Sequence, residues 1–148
     1  MFCGIVAGSV PASVVVDAPE GVAFLDARPV FKGHVLVVPR GHIEVLGDMP
    51  PSSLGTFFGL VQRIARAVQA GLGAGGTFVA MNNRVSQSVP HLHVHVVPRT
   101  KGDGLRGFFW PRTRYTSDEE ARSYAERIRA ALDDDRRPAG GGADRRDG

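Results

Sequence analysis

The sequence predicts an α+β domain: a mainly antiparallel sheet with one long helix and a C-terminal helix. Three observations carry that expectation. Val-rich segments separated by Gly or Pro fill the first third of the 148-residue chain. One apolar pattern with helical spacing follows at 52–70. Strands precede and surround that helix rather than alternating with helices, which disfavours a parallel α/β sheet.

The strands are predicted at FCGIV (2–6), ASVVVDA (12–18), GVAFLDA (21–27) and HVLVVPR (34–40). Ala18-Pro19-Glu20-Gly21 reads as the hairpin turn joining the second and third of these. Pro50 and Pro51 close the region. In the long helix, Leu54, Phe57, Phe58, Val61, Ile64, Ala65 and Val68 recur every three or four residues, while Arg63, Arg66 and Gln69 fall on the other side. GLGAGG (71–76) supplies a glycine C-cap. Strands GTFVAMN (76–82) and HLHVHVVP (91–98) follow, on either side of a short polar loop.

Residues 99–116 form a Gly- and Arg-rich loop. Arg99, Lys101, Arg106, Arg112 and Arg114 stand there against Asp103 alone, with Phe108, Phe109 and Trp110 among them. A helix at 118–132 is expected behind a Ser117/Glu120 capping box, with Ala121, Tyr124, Ala125, Ile128 and Leu132 on one face. The end of the chain has no apolar residue larger than Ala. The domain is therefore taken as 1–134, and 135–148 as a disordered tail.

Composition narrows the function classes. The net charge of +3 is too small to argue for a nucleic-acid binder. One cysteine, Cys3, excludes an internal disulfide and a Cys-rich zinc module. No apolar run approaches the roughly 20 residues needed to span a bilayer. The apolar N-terminus carries no leading basic residue, so it reads as a strand rather than a signal peptide, and a cytoplasmic protein is expected.

The five histidines are His34, His42, His91, His93 and His95. On a strand, His91, His93 and His95 share one face, and Leu92, Val94 and Val96 present the other to the core. Three surface histidines without a joint role are one reading, and a metal site completed by His34 or His42 is another. The favoured reading is nucleophilic catalysis at phosphorus: imidazole attacks and leaves readily near neutral pH, and a neighbouring imidazole can hold an oxygen or protonate a leaving group. Ser86-Gln87-Ser88-Val89, just upstream, could cradle a phosphate with its backbone amides and the Ser88 hydroxyl.

HLHVHVVPR (91–99) resembles the signature of the histidine triad (HIT) family. CGIVAG (3–8), FLDARPVFKGHVLVVPRGH (24–42), SQSVPHLHVHVVPR (86–99) and PRTKGDG (98–104) resemble further stretches of it, so the likeness covers about residues 2–105. The resemblance implies a HIT-like fold and a homodimer. It implies an enzyme that cleaves at the α-phosphate of an adenine nucleotide through a nucleotidyl-histidine. The substrate is a dinucleoside polyphosphate, whose phosphates the basic loop could embrace, or a nucleoside phosphoramidate. His93 matches the nucleophile, His95 the phosphate contact, His91 an orienting histidine and His34 a fourth, supporting one. At least four histidines are thus expected to face one nucleotide. Asp26 matches the ribose-binding residue, Asn82 or Asn83 a residue near phosphate and ribose, with Asn82 preferred, and Gln87, Ser88 and Val89 the phosphate loop.

Blander readings stand beside these: His34 as a core histidine, Asp26 as a turn cap, His42 as a surface residue and Cys3 as a small buried one. Many HIT relatives begin with Cys-x-x-Cys and hold structural zinc. Only Cys3 is present here, so structural zinc is not expected, with Cys3, His42 and His91 as the one residual ligand set; no metal ligand is assigned and no cofactor is required, though a divalent ion could accompany a polyphosphate substrate. The 83–87 loop is short, with Ser86 where relatives have glycine. That departure keeps open a second function, a non-catalytic nucleotide-binding or sensor protein. Neither nucleic acid nor membrane is expected as a partner.

Overall fold

A computed structural model describes residues 1–105 and 113–135, with side chains to residue 131. The chain forms two compact units, Met1–Leu105 and Arg106–Gly148. The predicted tail, Arg106, Arg112 and the Phe108–Trp110 aromatics lie outside the described residues.

The first unit is a five-stranded antiparallel sheet with helices, so its class is α+β as expected. Its strands are β1 (Val14–Ala18), β2 (Gly21–Leu25), β3 (Val35–Val38), β4 (Gly76–Ala80) and β5 (Val94–Arg99), in the order β1-β2-β3-β5-β4. The hairpin turn predicted from Pro19-Glu20 is present, with Ala18 opposite Gly21. The predicted first strand is instead a five-residue helix, α1 (Phe2–Val6). Helical winding lets Phe2 reach Phe24, ring centroids 5.4 Å apart, while Cys3 turns to other partners. This packing overrides the weak strand preference of a short β-branched run.

α2 (Pro51–Leu72) is the long helix. Pro51 starts it at a position that needs no N–H donor, and Gly73 ends it in the left-handed region at φ 62°. Three internal glycines, Gly55, Gly59 and Gly71, each cost about 1 kcal/mol of helix propensity. Phe57, Leu60, Val61, Ile64 and Val68 are buried, and each burial contributes about 1.5–3 kcal/mol, so packing outweighs the glycines.

Alternation in the central strands sorts side chains between two faces. Ala23, Val35, Val37, Leu92, Val94 and Val96 pack with the α2 stripe. Val22, Phe24, Leu36 and Val38 pack with Phe2 of α1 on the opposite face. β3 is buried on both faces, which explains its unbroken Val-Leu-Val-Val run. Leu36 pairs with His95, and Val35 with Val96. The histidine positions therefore belong to the α1 face.

The second unit contains α3 (Asp118–Asp135). The Ser117 hydroxyl accepts the Glu120 N–H at 3.1 Å, which is half of the predicted capping box. The Glu120 carboxylate turns to the N–H and hydroxyl of Thr116 instead of returning to Ser117. Tyr124 and Ile128, expected on a packed face, are exposed. Among the described residues, no helix is long and apolar enough to cross a membrane.

Gly33, at φ 93°, closes the β2–β3 loop, and a Cβ there would stand 2.2 Å from a Leu72 methyl. Gly33→Ala should therefore destabilise the protein by about 1–3 kcal/mol in chemical denaturation.

Candidate active site

The β2–β3 hairpin places Asp26 just after β2 and His34 just before β3. The Asp26 N–H donates to the His34 carbonyl at 2.9 Å, closing the loop between them. β5 supplies His95. His91 and His93 precede β5 rather than lying within a strand that starts at 91; the Leu92 N–H holds that segment by donating to the Ile43 carbonyl at 2.6 Å.

Fixed donors and acceptors assign the imidazole protons. The His91 carbonyl accepts from His93 Nδ1 at 2.7 Å, so His93 Nδ1 carries the proton and Nε2 keeps a free lone pair. The Val30 N–H donates to His34 Nδ1 at 3.2 Å, so His34 is protonated on Nε2 and donates to His95 Nδ1 at 3.0 Å. Neutral His95 then carries its proton on Nε2. The His93 and His95 rings are 5.0 Å apart, and Phe2 meets His93 edge-on at 5.2 Å. A bare nitrogen and an N–H thus stand side by side, a nucleophile next to a donor.

Both rings line a cleft of about 910 Å³, a size suited to a nucleotide. Asp26, Arg28 and Ser88 add polar groups, and Phe24, Leu36 and Val89 are among its apolar lining. Burial, reinforced by His93 and His34, pushes the His95 pKa down to about 4, so in the empty cleft the ring is neutral at pH 7. Burial also lowers the pKa values of His34 and His91.

Not every expected residue faces this cleft. His91 is 1% exposed, and its Nε2–H donates to the Pro39 carbonyl at 3.0 Å. Its Nδ1 meets Cys3 Sγ at 3.4 Å, so it stands behind His93 rather than beside a ligand. His34 is 3% exposed and reaches the cleft only through His95. Two histidines, not four, line the cleft. Asn82, Asn83 and Gln87 also lie outside its lining. The Asn82 amide donates to the Ser86 carbonyl at 3.3 Å, and Asn83 Oδ1 accepts the Leu46 N–H at 2.8 Å. The Gln87 amide joins the Arg84 N–H to the Glu44 carbonyl. Arg99, assigned to the basic loop, pairs with Asp103, which it holds well below the usual carboxylate range. Residues not singled out in the sequence also reach the cleft, among them Phe2, Ile5 and Arg28. Two-residue spacing from Asp26 was the available signal for Arg28.

Cys3 is exposed rather than buried, with Sγ 3.4 Å from the Nδ1 atoms of both His42 and His91. These three donors converge, as zinc ligands would. The residue one helical turn beyond Cys3 is Val6, which has no donor, so among the described residues the set offers three ligands where a closed structural zinc site has four. The cluster ties α1 to the 39–45 loop and the triad by hydrogen bonds.

Residues 7–102 match the family model described as "HIT domain". An uncharacterised HIT-like protein of Mycobacterium tuberculosis is 41% identical over 107 residues, covering 71% of this chain and 74% of that one. The adenosine 5'-monophosphoramidase of Schizosaccharomyces pombe is 31% identical, covering 89% and 97%. The asymmetrical bis(5'-nucleosyl)-tetraphosphatase of the same yeast is 35% identical, covering 55% and 46%. A crystal structure from Streptococcus mutans superimposes with a TM-score of 0.80 at 34% identity, covering 89% and 84%.

Between pH 6.5 and about 4, unfolded His95 binds a proton that folded His95 does not. Stability should fall as pH falls through that window, and thermal melts of His95→Gln should show a shallower fall than the parent. Arg84 and Ser86 hold positive φ angles of 68° and 60°. Ser86→Gly relieves one of these and should gain about 0.5–1 kcal/mol in urea titrations.

Proposed function

The chain belongs to the HIT domain family, and on that premise we propose that it is a hydrolase opening the bond to the α-phosphate of an adenine nucleotide. The observation that carries the reading is the pair of opposite tautomers, bare His93 Nε2 beside protonated His95 Nε2, on one cleft. His93 Nε2 attacks phosphorus, and the bond to the leaving group breaks as that group takes a proton from the His95 side. Water then attacks the phosphorus. Its proton returns to His95, and the P–N bond electrons return to His93 as the mononucleotide leaves. His91 acts from behind, its carbonyl fixing the His93 tautomer. Asp26 accepts the ribose hydroxyls, and Ser88 and the 88–89 backbone receive the phosphate.

A nucleoside phosphoramidate is the favoured substrate. The yeast phosphoramidase matches over nearly its whole length, the tetraphosphatase over less than half. The Arg99–Asp103 pair also removes one cation from those a polyphosphate would use. No structural zinc takes part, and Asn82, Asn83 and Gln87 serve by holding the phosphate loop. A cytoplasmic homodimer belongs to the same reading, with β4 at the sheet edge and half-exposed Val79 as contact surface. The non-catalytic reading has one observation in its favour: the Gln87 amide is engaged with the Arg84 N–H and the Glu44 carbonyl rather than turned to the cleft.

Intact-mass measurement after rapid quenching with adenosine 5'-phosphoramidate separates the two. The enzyme should show one added nucleotidyl group that is absent from His93→Ala, with turnover reduced about 1000-fold or more in that variant. An unmodified chain with every adenylate donor tested means a binding protein.

A further inference from the structure

Asp26 does more than a ribose ligand needs to do. Its Oδ1 accepts the Arg28 N–H at 2.8 Å, while Oδ2 lies 3.5 Å from Nδ1 of His34, a buried imidazole. His34 Nε2 in turn bonds His95 Nδ1. Asp26, His34 and His95 thus form a line from the expected ribose position to the cleft nitrogen beside the nucleophile. The cluster also has the donor types of a metal site. At 3.0 Å, however, the two imidazole nitrogens are at hydrogen-bond distance, and that bond engages both of the ring atoms that would have to turn to an ion.

We propose that Asp26 is a positioning residue for proton transfer: it is the counter-charge that holds a proton on the His34–His95 pair, which lends that proton to the leaving group. This rests on the reading of His93 as nucleophile. Neutral His95 has one proton, and giving it away would leave an imidazolate. The donor must therefore be the singly charged pair. In that state His34 is protonated on both nitrogens, with Nδ1–H turned from the Val30 amide to Asp26 Oδ2, and His95 is protonated on Nε2.

As the bond from phosphorus to the leaving group breaks, its electron pair takes the His95 Nε2 proton. The His34 Nε2 proton crosses to His95 Nδ1. Both rings end neutral, and His95 Nε2 is now bare. In the second half, that nitrogen takes the proton of the attacking water while the phosphorus–His93 bond breaks. The pair is charged again, so one proton is lent and returned per turnover.

The surroundings make Asp26 necessary to this step. Burial and His93 disfavour charge on His95, and burial disfavours it on His34. Asp26 is the group that opposes both. Ribose binding alone gives no reason for its second oxygen to face a buried imidazole.

The test separates sugar contact from proton holding. Wild type and Asp26→Asn are compared on adenosine 5'-phosphoramidates carrying an alkylamine or a nitroaniline, each with the normal sugar and as the 2',3'-dideoxy form. Melting curves check the fold. Asp26→Asn should lower kcat about 100-fold for the alkylamine on both sugars, and less than about 10-fold for the weakly basic nitroaniline. KM should rise only on the normal sugar. His34→Gln, which cuts the link while keeping the ribose contact, should reproduce the leaving-group dependence with KM unchanged. If Asp26→Asn does not fold, that variant decides alone. Parental kcat on the dideoxy substrates overturns the proposal, as does an equal loss for both leaving groups. A wild type that turns over none of the four overturns the hydrolase reading, and this inference with it.

Discussion

The hydrogen bond from His34 Nε2 to His95 Nδ1 joins two parts of the sheet that are 61 residues apart in sequence. It forms because Leu36 and His95 pair across β3 and β5, which puts His34 on the same face one step along. The Asp26–His34 backbone bond and Gly33 close the hairpin that delivers it. Without a partner, each buried ring nitrogen would cost about 1–3 kcal/mol. With the bond in place, His34 is satisfied on both sides and His95 has one possible neutral tautomer. The chemistry of the cleft therefore follows from a strand pairing.

Much of this was legible in sequence because it is local. The Pro19-Glu20 turn, the α2 stripe and the Gly73 cap are each encoded within a few residues. Parity placed Leu92, Val94 and Val96 in the core. Parity could not say which imidazoles meet ligand. His91 is on the same face as His93, but Pro39 and Cys3, 52 and 88 residues away, take its two nitrogens. The strand that the sequence predicts at 2–6 is a helix for a related reason. Five apolar residues fit either period, and contacts with Phe24 and His93 decide between them. The exposure of Cys3 follows from that same turn of helix.

The 83–88 loop shows how shortening changes roles. With few residues to span the gap, two of them adopt left-handed backbone without being glycine. Three amide side chains then fasten the loop to itself and to the 44–46 segment. Groups that could have reached a ligand are used to keep the loop in place. Strain of this kind persists only where neighbours over-determine the conformation, and the amides supply that restraint.

β3 is apolar on both faces and carries no polar residue to mark which face is which. Hydrophobicity alone would tolerate a shift of one residue between β3 and β5. Such a slip would turn one of the two strands over, carrying either His34 or His95 into the layer against α2 and away from the other imidazole, with Val35 or Val96 turned toward the cleft in its place. The misaligned chain would be both less stable and without its imidazole pair. The histidines thus proofread the sheet: the residues that give the cleft its chemistry also penalise the fold that lacks it, so a folded molecule of this sequence carries a correctly assembled site.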